Sequence, residues 1–393
     1  MPFHRSIDAI FVPTARQPAY LAGAAELANF LGCPLVTLHS GKWTNAAAAA
    51  RFLLAELSLT DLNLIAIDVP HVAHLNMPLW QTTSILDGTV FASRSDLSAK
   101  RNLALTLSRR LGWKRILFLD DDITGLKADD VRKASGLLDV YNAVGLHVGG
   151  FPDNSVVCHA YRQAGGKQQS FVGGGALAVH TDRAGSFFPD IYNDDWFFLL
   201  DGDKWLQPTG VTGQVQQYPY DPFRTPDRAR AEEFGDVLAE GIYWLLDQDR
   251  SIAEADQAHW ADFLVRRREF ICEVLSMVEV SSLEPNEKQR RIAALKGSLG
   301  RLARITPDLC EDYLRAWAAD RERWRHHIER LPTRQQMGSA LAWLSRKGSP
   351  SLTVAGKHTI GKQRTFSTNP YSPWPESQGE VSAKTSEAPV NAL

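Results

Sequence analysis

The chain has 393 residues, 44% of them hydrophobic and 22% charged, with a formal net charge of −2. That length exceeds one ordinary compact domain, and the charge balance excludes a global pull toward nucleic acid or anionic membrane. Four widely spaced cysteines without a CxxC pair predict reduced, mostly buried thiols with at most one or two incidental bridges.

The amino terminus begins with a strand-like run rather than a charged segment and a long apolar core, so no signal peptide is expected. No window reaches the roughly twenty apolar residues that span a bilayer, and the expected setting is the cytoplasm. Residues 7–13, IDAIFVP, form a short apolar run ended by proline, which predicts a strand. Helical spacing with a glycine stop follows over 20–32, then a strand over 34–40 and a helix over 45–57. Residues 62–70 predict a third strand ending at Asp68, 97–112 a helix, and 114–122 a strand whose end carries Asp120, Asp121 and Asp122.

Strands alternating with helices predict an α/β fold with a mostly parallel sheet flanked by helices. From about residue 225 to 346 the period is helical, with few glycines and no strand runs. The last stretch is rich in Ser, Pro, Thr and Gly without periodicity, which predicts an unstructured tail. The expected organisation is therefore a nucleotide-binding and catalytic part over 1–222, a helical extension over 223–347 and a tail over 348–393. Basic clusters at 266–268, 288–291 and 321–330 are interleaved with acids and read as solvated helix faces.

The acidic triplet directly follows ILFL, at the carboxyl end of a strand, where ligands bind in sheets of this kind. Clustered carboxylates need a basic side chain or a cation. Two of them one residue apart suit a hard divalent ion, Mn²⁺ or Mg²⁺, that keeps its remaining positions for phosphate oxygens. A solvated Asp-rich turn is the plain alternative. Asp120, Asp122 and Thr124 also fit the D-x-D-x-T string of the HAD-like phosphatases, with Lys167 and Asp194/Asp195 as downstream partners. That motif usually opens its fold, whereas three strand–helix units precede it here.

Residues 95–123 resemble the core of nucleotide-sugar glycosyltransferases of the GT-A fold, notably family 2-like members. Those proteins carry a helix opening with an Arg-Asn pair, matched by Lys100, Arg101 and Asn102, then a strand ending in D-x-D, matched by Asp120 and Asp122. The likeness extends through 171–202, where a glycine-rich segment precedes the acidic pair Asp194–Asp195 in the place of Glu-Asp. It covers roughly 7–205 and implies a GT-A-like, Rossmann-type sheet.

The resemblance also implies roles. Asp122 would ligate the metal, and Asp120 would face the metal shell or the donor's ribose. Asp121 has no fixed family role and would orient its neighbours at the donor. Arg16, in the turn after the first strand, would stack on a base or meet phosphate, and Asp68 would accept from the base. Lys100 and Arg101 would meet the diphosphate or the triplet itself. Backbone amides at Gly174 and Gly175 would approach donor or acceptor hydroxyls. Asp195 would be the base of an inverting transfer and Asp194 would position the acceptor.

No motif marks a metal-ligating histidine, and His180 and His259 read as structural. Residues 215–236 have the composition of a loop closing over the site, with Arg224 or Arg228 reaching phosphate. The implied partners are a nucleotide diphosphate sugar and a hydroxyl acceptor, whether small molecule, glycan or lipid-linked, with no nucleic acid. A non-catalytic nucleotide-sugar-binding protein is the third reading.

Overall fold

The computed structural model describes residues 6–167, 172–201, 205–346 and 353–355. Strands β1 (Ala9–Thr14), β2 (Leu35–His39) and β3 (Leu64–Asp68) alternate with helices α1 (Ala22–Leu31) and α2 (Ala46–Arg51). Helix α3 (Gln81–Leu86) leads to α4 (Leu97–Leu111), which ends at Gly112 in the left-handed conformation. Next come β4 (Arg115–Leu119), β5 (Ile123–Thr124), α5 (Ala128–Leu137), β6 (Ala143–Gly149), α6 (Val156–Gln163) and β7 (Ala176–His180). The short α7 (Asp194–Phe198) precedes β8 (Leu200–Asp201), β9 (Trp205–Leu206) and β10 (Thr209–Gln217). Five helices follow: α8 (Pro226–Leu246), α9 (Gln257–Val280), α10 (Pro285–Leu302), α11 (Pro307–Arg330) and α12 (Met337–Leu344).

Nine strands form one sheet in the order β11–β3–β2–β1–β4–β7–β6–β10–β5, where β11 is Thr353–Ala355. The expected mostly parallel sheet is corrected to a mixed one. β3, β2, β1 and β4 run parallel, but β7 enters antiparallel between β4 and β6, and β5 and β11 are antiparallel edges. A helix between two strands does not by itself set their relative direction. The connection from β6 to β7 carries α6 and a long glycine-rich segment, enough chain to return either way.

The sheet is apolar on both faces because its strands read as continuous hydrophobic runs. In β1, Ala9 and Phe11 enter one core while Ile10 and Val12 enter the other; Ile116 and Phe118 of β4 separate from Leu117 and Leu119 in the same way. Helices α1 and α5 cover the second face, while α4 and the C-terminal helices share the first core. Contacts such as Phe197 against Trp317, with ring centroids 5.4 Å apart, and Trp80 stacked on Phe187 at 4.4 Å join the layers. Asp320 of α11, fully buried, accepts from the backbone amides of Gln81 and Thr82 at 3.0 and 2.8 Å and so caps α3.

Of the expected tail, only Thr353–Ala355 are described, as an edge strand on β3; the rest lies outside the described residues. All four cysteines are free, and Cys33, Cys158 and Cys310 are buried. No described helix is long and apolar enough to cross a membrane.

Candidate active site

The turn after β4 is fixed through its backbone. Asp120 N donates to Gly175 O at 2.8 Å, and Tyr218 N donates to Asp122 O at 2.8 Å. Because β7 is antiparallel to β4, with Ala176 opposite Leu119, the glycines preceding β7 lie directly beside the acidic triplet.

Each aspartate has its own basic or polar partners. Asp121 accepts from Thr14 Oγ1 at 2.6 Å and from Arg16 Nη1 at 2.8 Å. Asp122, buried, accepts at Oδ2 from Arg16 Nη2 at 3.2 Å and Gln217 Nε2 at 3.3 Å. Asp120 accepts from Arg101 Nη2 at 3.0 and 3.3 Å. A solvated turn does not have this form. Burial, against the help of Thr14 and Arg16, raises the Asp121 carboxyl above the ordinary range.

Arg101 is buried in α4 and joins two acidic groups. Its Nη1 donates to Asp194 Oδ1 at 2.7 Å while Nη2 holds Asp120. Burial works against its charge, yet Asp194, Asp120 and Asp195 together raise its pKa. Asp194 also accepts from Ser98 Oγ at 3.0 Å. Asp195 Oδ2 accepts from the Gly174 amide, and Oδ1 from the Trp196 amide at 3.0 Å. Burial raises both carboxyls above the ordinary range, against the opposing charge of Arg101.

The glycine run has a steric cause. A Cβ at Gly174 would stand 2.9 Å from Asp195 Cβ and 3.0 Å from Arg101 Cζ; one at Gly175 would stand 3.3 Å from Asp120 Oδ2. The close approach is therefore to the site's own side chains, and neither glycine has a positive φ.

Two further anticipated donor-site residues have partners within the protein. Lys100 is buried: Nζ donates to Thr14 O at 2.9 Å and Ser40 Oγ at 2.6 Å, and pairs with Asp96 at 3.0 Å. It ties α4 to the ends of β1 and β2. Asp68 is separated from β1 by β2, and its Oδ1 accepts from Ala46 N at 2.6 Å, at the start of α2.

The loop expected over 215–236 is also corrected: Val215–Gln217 belong to β10 and 226–236 to α8. Arg228 is held by Glu232, Tyr220 and Asn154 O. Thr14, Ser98 and Gln217 were not singled out from sequence. Short polar residues at strand ends and helix starts carry no motif until the fold brings them together.

A cleft of about 810 Å³ opens beside the triplet, lined by Tyr20, Leu27, Phe30, Asp121, Asp122 and Tyr218. The Arg16 guanidinium lies 5.3 Å from the Tyr20 ring centroid. Among the described residues, no three His, Cys, Asp or Glu side chains already surround a metal position. His180 ends β7 away from the triplet, and His259 stacks on Trp244 at 5.3 Å in the helical region. Among the described residues, bonds reach Asp122 at Oδ2, while Arg101 holds both oxygens of Asp120; the chemistry of the two carboxylates is that of an oxygen donor set. That set fits a hard cation that keeps most of its shell for water and phosphate oxygens.

No family model and no curated protein sequence matches this chain. Among solved structures it is similar to the mannosyltransferase PcManGT from Pyrobaculum calidifontis in complex with GDP-Man and Mn²⁺, at 15% identity and a TM-score of 0.42. The match covers 82% of this chain and 88% of that one. A likeness at this level assigns neither activity nor ligand to the present chain.

Proposed function

We propose that the protein is a glycosyltransferase that moves a sugar from a nucleotide diphosphate donor to a hydroxyl acceptor. The observation that carries this reading is Arg101, one buried guanidinium bonded to both Asp120 and Asp194. It couples Asp120 of the D-x-D to Asp194 of the second acidic pair at the carboxyl edge of the parallel strands. This supports reading the two motifs that resemble those of GT-A enzymes as parts of one site.

Asp120 and Asp122 would hold Mn²⁺ or Mg²⁺, which stabilises the negative charge of a departing diphosphate. Arg16, bonded to Asp121 and Asp122 and 42% exposed at its side chain, would turn part of its guanidinium toward phosphate. Asp194 pairs with the Arg101 cation and accepts from Ser98, which suits an orienting group. Asp195 accepts from one backbone amide at each oxygen, with no direct bond from Arg101, and would take the acceptor proton on a remaining lone pair.

In the inverting form, the acceptor oxygen bonds to the anomeric carbon as the carbon–diphosphate bond breaks on the opposite face. The hydroxyl proton passes to Asp195. Gly174 N–H keeps that carboxylate oriented.

Calorimetry of nucleotide diphosphate sugars with and without Mn²⁺ tests the donor site, and product analysis tests transfer. Asp122→Ala is expected to lower transfer by at least about a hundredfold, the scale of losing one electrostatic stabiliser of the leaving charge. Phosphate release from a sugar phosphate without a nucleotide donor, abolished by Asp120→Asn, would replace this reading with the HAD-like one. Tight donor binding without turnover on any acceptor would leave a binding protein.

A further inference from the structure

The turn bearing Asp194 and Asp195 is held on its other side by the helical region. Asn193, immediately before the pair, has φ +62° and ψ 34°, in the left-handed region. Its side chain makes no capping bond to its own helix; instead Nδ2 donates to Asp236 Oδ1 at 2.9 Å. Gly235, the neighbour of Asp236 on α8, lies so close that a Cβ there would stand 2.1 Å from the Tyr192 carbonyl oxygen. Two turns along the same helix, the Tyr243 hydroxyl donates to Trp196 O at 3.2 Å, and the two rings lie 4.6 Å apart. One face of α8 thus grips residues 192, 193 and 196, on both sides of the acidic pair.

Asp236 is itself immobilised. Its Oδ2 accepts from Ser155 Oγ at 2.8 Å and from Arg267 Nη2 at 2.9 Å. Arg267 in turn holds Glu233 through Nε at 2.9 Å and Glu240 through Nη1 at 2.6 Å, with its own side chain 1% exposed. All of its donor nitrogens are committed, so the cluster has no role as a ligand site. Its one outward connection toward the acidic pair is the bond from Asn193.

We propose that Asp236, fixed by Arg267 and Ser155, is a positioning residue that locks Asn193 in its left-handed conformation and so sets where Asp195 stands. The proposal rests on the glycosyl-transfer reading above. A non-glycine residue persists at positive φ only where its surroundings over-determine it, and asparagine resists least. With the clamp removed, residue 193 relaxes and α7 turns, carrying the Asp195 carboxylate away from the Gly174 amide. The D-x-D side of the site is built on β4 and α4 and meets the clamped turn through Arg101, so it feels the relaxation only at second hand.

The test uses the full chain with Asn193→Ala, Asn193→Gly, Asp236→Asn and Asp236→Ala, measuring kcat, KM for both substrates and the donor Kd in Mn²⁺. Displacing a reacting group by about 1 Å costs on the order of a hundredfold, so Asn193→Ala is expected to lower kcat by about that factor and to change the donor Kd far less. Asn193→Gly, which adopts positive φ freely, recovers part of the loss. Asp236→Asn, whose amide oxygen still accepts from Asn193, retains more of kcat than Asp236→Ala. An unchanged kcat in Asn193→Ala, or a donor Kd that weakens in step with kcat, overturns the proposal. If the wild-type protein transfers no sugar, the functional reading has failed instead. The crystal structure of Asn193→Ala then decides positioning alone: a retained left-handed residue 193 with Asp195 still on the Gly174 amide sinks it.

Discussion

Two arginine–carboxylate clusters among the described residues, one around Arg16 and one around Arg267, differ in access. Around the acidic triplet, Arg16 is 42% exposed, the bonds that described residues make to Asp122 all go to one oxygen, and the cluster borders a cleft. Around Arg267, the guanidinium is 1% exposed and Glu233 0%, with every nitrogen bonded to a carboxylate. Similar groups serve opposite ends. An open cluster leaves charge for a ligand to complete, whereas a sealed one has only its own members to balance it. Sealing therefore turns charge into a device for orienting helices, here α8 against α9, at the cost of desolvation.

The largest expected difference between the two is in stability. Arg267→Ala leaves Glu233, Asp236 and Glu240 packed together without their cation. Breaking a buried pair by removing one partner costs roughly 3–5 kcal/mol. Arg16→Ala removes a guanidinium that water already reaches, and half-exposed pairs contribute under about 1 kcal/mol. Denaturant titration of both variants checks this; equal losses would mean that the two clusters are not distinct in kind.

Much of this was legible in sequence, and the failures have physical causes. Helix α4 with its glycine stop, the buried β4 run and the helical region after residue 225 follow from periodicity and end signals. The two acidic motifs stood out in the sequence, but not the antiparallel β7 beside them, because a strand's residues do not record its direction. Arg267 was hidden in RRR, read as a solvated face. Yet its spacing carried a signal: buried Trp260, Phe263, Ile271, Val274 and Val278 place position 267 in the apolar stripe of α9. Glu233, Asp236 and Glu240, spaced by three and four along α8, share the matching face. A cation inside one apolar stripe opposite acids inside another is a pattern that charge counting alone passes over.

A smaller effect separates the clusters by pH. Glu232, beside the sealed cluster, accepts from Val156 N and pairs with Arg228, and burial pushes its carboxyl up to about 8 despite that arginine. A carboxyl whose folded pKa lies above its unfolded value binds its proton more tightly when folded. Stability from this group is therefore complete below the unfolded value near 4.5 and declines as pH rises toward 8, by at most about 1.4 kcal/mol per pH unit. Glu232→Gln is expected to flatten the decline in melting temperature over that window. A slope unchanged by the substitution would place its origin in other carboxyls.

The smallest effect belongs to Asp68, where a structural and a ligand-binding role give opposite signatures. Its Oδ1 accepts from Ala46 N at the first turn of α2, while the Asn45 side chain accepts from Ala48 N at 2.8 Å in the same turn. Losing one of two acceptors at a helix start costs about 1 kcal/mol. If Asp68 serves only α2, Asp68→Ala lowers stability by that amount and leaves the donor Kd as it was. Burial raises the Asp68 carboxyl, opposed by the Ala46 amide, so the capping bond favours the charged form and Asp68→Asn loses part of it. If the carboxylate also receives a donor base, both substitutions weaken donor binding beyond the stability loss. In that case the binding surface reaches from β4 across to β3, and the open cluster is one end of a longer site.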